Sequence, residues 1–131
     1  MTIVVGYSAD PYGRAALEHG IAEAKLRDTS LCVINSTAGD AYVDARFAQP
    51  TEVHDIEERL ANCGVEYELR QPVGVEAADE LLRAMERGDA DLLVIGIRHR
   101  NPVGKLLLGS VAQQLLLECP KPVLAVKPQE D

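Results

Sequence analysis

The sequence is short of the residues that staple small domains or build metal centres. Its three cysteines, Cys32, Cys63 and Cys119, lie 31 and 56 positions apart, so no CxxC redox pair or zinc knuckle can form from neighbours. An odd count in a domain without staples points to a reducing compartment. His19, His54 and His99 fall on three separate segments with no HExxH, which argues against a metal site. Basic residues are also scarce, 13 Lys and Arg against 21 Asp and Glu for a formal net charge of -8 and a pI of about 4.8. Such a chain lacks the basic face that displaces counterions from duplex nucleic acid or holds an anionic membrane, so neither partner is expected. Long apolar runs are missing: the longest, 92–97, is far too short to span a bilayer. Residues 1–6 show neither a basic n-region nor a long apolar h-region. The expected location is the cytoplasm.

With 131 residues, 47% of them apolar, the chain is long enough to bury roughly two-thirds of its unfolded surface around one core. A single domain over 1–131 is expected, with no internal repeat or low-complexity stretch. Two apolar patterns alternate within it. Short continuous runs at 2–6 (TIVVG), 31–35 (LCVIN), 91–96 (DLLVIG) and 122–126 (PVLAV) suit parallel strands covered on both faces. Between them, helical spacing predicts four helices, carried by Leu17, Ile21 and Ala24; by Val53, Ile56, Leu60 and Cys63; by Ala78, Leu81, Leu82 and Met85; and by Leu108, Val111, Ala112 and Leu115, each stacking one apolar face. A fifth strand, 65–69 (VEYEL), alternates strictly, as an edge strand does. Strand and helix in turn, with right-handed crossovers, give a doubly wound α/β sheet with helices on both faces. Residues 36–50 lose periodicity and are expected to form a long loop at a strand's carboxyl end, where a ligand lid can sit.

Ligands of open α/β sheets bind beyond the carboxyl ends of the strands where the winding reverses. That directs attention to 6–10 (GYSAD) and 96–110 (GIRHRNPVGKLLLGS). The second segment holds Arg98, Arg100 and Lys105 and no acidic residue, inside an acidic chain, so it favours an anion. Gly104 and Gly109 let backbone N–H groups approach a ligand, and Gly109-Ser110 opens the last helix, whose free N–H groups suit phosphate. Bland roles stand beside these. Ser110 with Gln113 fits a capping box, Arg98 and Arg100 fit a solvated face, and Asp10 before Pro11 fits a helix cap. Tyr7 either lies against a base or closes the core. Several motifs are absent. Gly104-Lys105 lacks the other residues of a Walker A loop, no GxGxxG follows the first strand, and no GxSxG or nucleophile triad is visible.

The segments IVVGYSADPYGRAAL, DLLVIGIRHRNPVGKLLLGSVAQQLL and CPKPVLAVKP together resemble the universal stress protein (UspA-like) family, over essentially the whole chain. The resemblance implies a five-stranded parallel sheet of order 3-2-1-4-5, adenine nucleotide alpha hydrolase-like, in a cytoplasmic homodimer that binds ATP through G-x2-G-x9-G-[ST]. On this chain the pattern meets Gly96, Gly109 and Ser110, with His99 at its second glycine. The aspartate that touches the nucleoside in such proteins is Ser8 here. The implied nucleotide site comprises Tyr7, Ser8, Gly96, Arg98, His99, Arg100, Gly104, Lys105, Gly109, Ser110 and Val111, with Mg2+ accompanying ATP. In that strand order the last strand is an apolar edge, a hazard unless covered, so a two-fold partner is expected along Val123, Leu124, Ala125 and Val126.

Three functions follow. The first is a nucleotide-responsive regulatory protein, not an enzyme, with slow ATP hydrolysis at most. The second is a dimeric interaction module without nucleotide, its basic loop docking a small anion or an acidic protein partner that the sequence does not identify. The third, an enzyme of the wider nucleotide hydrolase class, lacks a pyrophosphatase signature such as SGGxDS.

Overall fold

The computed structural model describes residues 1–39, 41, 43–98 and 108–129. Along the chain run β1 (Thr2–Gly6), α1 (Pro11–Arg27), β2 (Ser30–Ile34), α2 (Pro50–Ala61), β3 (Tyr67–Arg70), α3 (Ala77–Met85), β4 (Ala90–Gly96), α4 (Ser110–Glu118) and β5 (Val123–Val126). The strands form one sheet of order β3-β2-β1-β4-β5, and every adjacent pair is parallel. This is the doubly wound architecture expected from the alternating runs.

The continuous apolar runs are explained by two covered faces. Ile3, Val5, Leu31, Val33 and Val94 point to the layer of α1 and α2. Val4, Cys32, Ile34, Leu93 and Ile95 point to the layer of α3 and α4. Each such side chain, removed from water, contributes about 1.5–3 kcal/mol. Helix α1 begins as its sequence signals. Asp10 takes extended backbone, its carboxylate accepts the Gly13 N–H at 2.9 Å, and Pro11 follows at the first helical position.

The strand bounds of β2, β4 and β5 shift by one residue, and three further boundaries differ from expectation. The edge strand pairs only from Tyr67, because Glu66 is the last residue to meet β2 through its carbonyl alone. Leu108 precedes α4 and Cys63 follows α2, although Cys63 is still buried. The capping box at Ser110 does not form. Gly109 is the cap, its carbonyl accepting the Gln113 N–H at 2.9 Å, and no side chain caps the helix. Ser110 is therefore the first helical residue, one position too late for its hydroxyl to act as the cap.

Candidate functional site: the cleft beyond β1 and β4

Between β1 and β4 the chain winds outward in opposite directions, so their following loops diverge. The gap they leave is a cleft of about 470 Å³, within the 300–1,000 Å³ or so typical of small-molecule sites.

One wall is made by the first turn of α1 lying against the end of β4. Two glycines permit this approach. A Cβ at Gly96 would stand 2.1 Å from the Tyr12 carbonyl oxygen, and one at Gly13 would stand 1.8 Å from the Ser8 carbonyl oxygen. With both side chains absent, Ser8, Asp10 and Tyr12 are brought into the same cleft as Gly96 and Arg98. The Ser8 hydroxyl donates to Asp10 Oδ1 at 2.8 Å. Opposite, the start of α4 contributes Gly109 and Val111, with Leu115 fully buried beneath them.

The remaining wall is made by Ser36, Thr37, Ala38, Gly39, Asp44 and Arg46. Asn35, 2% exposed, holds it. Its amide nitrogen donates to the carbonyls of Tyr7 and Arg46 at 3.0 and 3.1 Å, and its oxygen accepts from Ala48 N–H at 2.7 Å and from Gln71 at 3.1 Å. Thr37 bridges to Val73 beyond β3 and donates its hydroxyl to Asp44 Oδ2 at 2.6 Å. That bond, together with the Arg46 N–H and guanidinium, holds the Asp44 carboxyl below the usual carboxylate range. Ser36 Oγ is buried at the cleft with no hydrogen-bond partner among the described residues.

Of the residues singled out in the sequence, Tyr7, Ser8, Gly96, Arg98, Gly109 and Val111 line the cleft. Ser110 lies beside them, exposed, at the head of α4. His99, Arg100, Gly104 and Lys105 lie outside the described residues. Tyr7 is 6% exposed within the α1–α2 core layer, and its hydroxyl donates to Glu52, which also pairs with Arg14. Burial first, then the Glu52 carboxylate, pushes the Tyr7 phenol far up. At the far edge, Val123, Leu124 and Ala125 are half-buried, while Val126 is 7% exposed and packs into the core.

Sequence reasoning missed Tyr12, Asn35, Thr37 and Arg46. The run Asn35-Ser36-Thr37, three polar residues closing a wholly buried strand, was the available signal. Among the described residues no group of three His, Cys, Asp or Glu is placed to hold a metal, and no helix is long and apolar enough to cross a membrane.

Comparison with known proteins gives consistent matches. The profile of the Universal stress protein family matches residues 1–127. A universal stress protein of Mycolicibacterium smegmatis is 78% identical over 126 residues, covering 96% of this chain and 97% of that protein. A universal stress protein structure from Archaeoglobus fulgidus is 31% identical with a TM-score of 0.72, over 97% of this chain and 98% of that one. A second from that organism, in complex with dAMP, is 26% identical with a TM-score of 0.65 over the same shares.

Proposed function

The chain belongs to the universal stress protein family, and from that premise we propose that it is a cytoplasmic stress-response regulator that binds an adenine nucleotide in the cleft beyond β1 and β4. The observation that carries this reading is that Gly96 and Gly109 line one cleft of nucleotide size, with Ser110 next to Gly109 at the head of α4. The related protein held with dAMP supports the ligand class. The residues suit the group. A Cβ at Gly109 would meet nothing within 4 Å among the described residues, which leaves its backbone room for phosphate in this reading, and the first N–H groups of α4 favour anions. Arg98 adds positive charge, with Arg100 and Lys105 in the same segment. In this reading ATP, with Mg2+, alters the surface shown to a protein partner. Hydrolysis is not required.

A homodimer through β5 accompanies the proposal, supported by the half-buried Val123, Leu124 and Ala125 on an open edge and by exposed Leu116 and Leu117 on neighbouring α4. A nucleotide-free interaction module is the second reading, favoured by His99 in place of glycine and by Ser8 already engaged with Asp10.

The test is calorimetric titration of the purified protein with ATP, with and without magnesium, at physiological salt. One saturable site per subunit is expected. Gly109→Trp, whose indole would stand where this reading seats the phosphates, should abolish binding, with the unfolding midpoint measured alongside. No heat and no thermal shift at millimolar ATP would favour the second reading.

A further inference from the structure

Among the described residues, two buried side-chain oxygens have no hydrogen-bond partner, Ser36 Oγ and Asp91 Oδ2. Asp91 lies near the start of β4, at the end of the sheet away from the cleft, whereas Ser36 lines the cleft itself. The other donors on that wall are already engaged. Ser8 and Thr37 give their hydroxyl protons to the carboxylates of Asp10 and Asp44, and both N–H bonds of the Asn35 amide go to backbone carbonyls. Ser36 is also held by its neighbours. On one side the Asn35 side chain makes four hydrogen bonds. On the other, the Thr37 N–H donates to the Pro72 carbonyl at 3.1 Å and the Thr37 carbonyl accepts from the Gly74 N–H at 2.7 Å. With the backbone fixed on both sides, rotation of its own short side chain is all the freedom the hydroxyl has. A buried hydroxyl left unpaired destabilises the fold that holds it, and at the wall of a cleft a bound ligand can complete it.

We propose that Ser36 is a specificity residue of this cleft: its hydroxyl donates a hydrogen bond to one ring nitrogen of the bound base, a contact kept even though it destabilises the ligand-free fold. The inference rests on the nucleotide reading above and deepens it. The wall sets what the hydroxyl can meet. Thr37 holds the Asp44 carboxylate beside it, and Glu76 lines the same cleft, with Arg46 offsetting one of the two charges. An anionic acceptor is therefore disfavoured there. Ala77, Leu81 and Ile95 add apolar surface, so a flat, uncharged heteroaromatic ring suits this wall. Arg98 and the head of α4, which attract phosphate, belong to the β4 side, and this leaves the base for the wall after β2. The acceptors of an adenine ring are its nitrogens N1, N3 and N7, and a single hydroxyl proton serves one of them. A neutral hydrogen bond of this kind strengthens binding by about three- to tenfold.

The experiment compares ATP with 1-deaza-, 3-deaza- and 7-deaza-ATP by calorimetry on the full chain and on Ser36→Ala, and measures the unfolding midpoints of both chains without ligand. Alanine removes the hydroxyl and breaks no bond among the described residues, so Ser36→Ala should unfold at the wild-type temperature or above it. It should bind ATP about three- to tenfold more weakly. One deaza analogue should show the same loss on the wild type, and should bind Ser36→Ala as well as ATP does, because the two changes remove one contact. A Ser36→Ala chain that unfolds several degrees lower or fails to fold shows a hydroxyl bonded within the chain and overturns this inference. ATP affinity equal to the wild type's overturns it too, as does a Ser36→Ala loss that adds in full to that of every analogue; in both cases nucleotide binding stands. Failure of ATP to bind the wild-type chain overturns the nucleotide reading and this inference with it.

Discussion

Replacing Asn35 by alanine tests whether one buried amide holds the cleft wall. The side chain makes four hydrogen bonds, but their losses differ in weight. Arg46 O keeps a second donor, the Ala9 N–H at 2.9 Å, and Gln71 keeps its bond to the Ala48 carbonyl at 3.0 Å. The Ala48 N–H, on a residue 3% exposed, loses its Asn35 acceptor, and Tyr7 O loses the amide donor. An orphaned buried N–H costs about 1–3 kcal/mol, and a lost ordinary bond about 1 kcal/mol, so Asn35→Ala should cost about 3 kcal/mol. For a domain of this size that lowers the thermal midpoint by about 12 °C. Urea denaturation would measure it, with the wall around Asp44 and Arg46 becoming the first site of limited proteolysis. Gln71→Ala is the internal control: Asn35 Oδ1 still accepts the Ala48 N–H, so its cost should stay below about 1 kcal/mol. A cost below 1 kcal/mol for Asn35→Ala, or equal costs for the two, would refute the reasoning.

Gly96→Ala drives a Cβ into the Tyr12 carbonyl and should cost about 3 kcal/mol, whereas Gly109→Ala, into open space, should stay within about 0.5 kcal/mol; equal denaturation midpoints would contradict the close approach. Thr37→Val should raise the Asp44 pKa, read by NMR titration, toward the ordinary value near 3.9. Because the folded value is depressed, the Thr37–Asp44 bond stabilises above the unfolded value and is lost as pH falls through the folded one, so a stability gap between wild type and Thr37→Val that is equal at pH 3 and pH 7 would sink the assignment. Ala125→Pro tests the dimer: Pro122 O and Val126 O accept from β4, so alternation turns the Ala125 N–H to the open edge, where proline is tolerated within the subunit. Sedimentation should then show monomers, and a persistent dimer would exclude this edge.

The fold was legible because its signals are local. Continuous apolarity at 91–96 marks a strand with two covered faces whatever its neighbours are, and Asp10-Pro11 writes a helix start within two residues. Strict alternation at 65–69 marked an edge, and β3 is one. The Ser110 cap failed for the same locality: a shift of one residue, from Ser110 to Gly109 as cap, moves nothing in the composition but removes the hydroxyl from its partner. Gly96 and Gly109 could be read because glycine announces the absence of a side chain, whereas Gly13, whose bare Cα admits the Ser8 carbonyl, was not singled out. Asn35 and Thr37 could not be read, since what makes Asn35 a hub lies 11 to 36 residues away in sequence. Tyr7 was ambiguous for a like reason: only Glu52, 45 residues on, makes its ring a core lid.

These long-range bonds also tie stability to recognition in this cleft. Ser8 and Thr37 donate to carboxylates to hold the walls in place, and the same donation fixes which lone pairs remain for a ligand. A substitution at Ser8 that removes its proton therefore loosens the start of α1 and changes the polarity of the wall together. Asp10→Asn separates the two effects, because its capping oxygen is retained while its free oxygen is replaced. Ser36 stands apart from this arrangement: its hydroxyl, buried in the same cleft with no partner among the described residues, keeps its proton for a ligand.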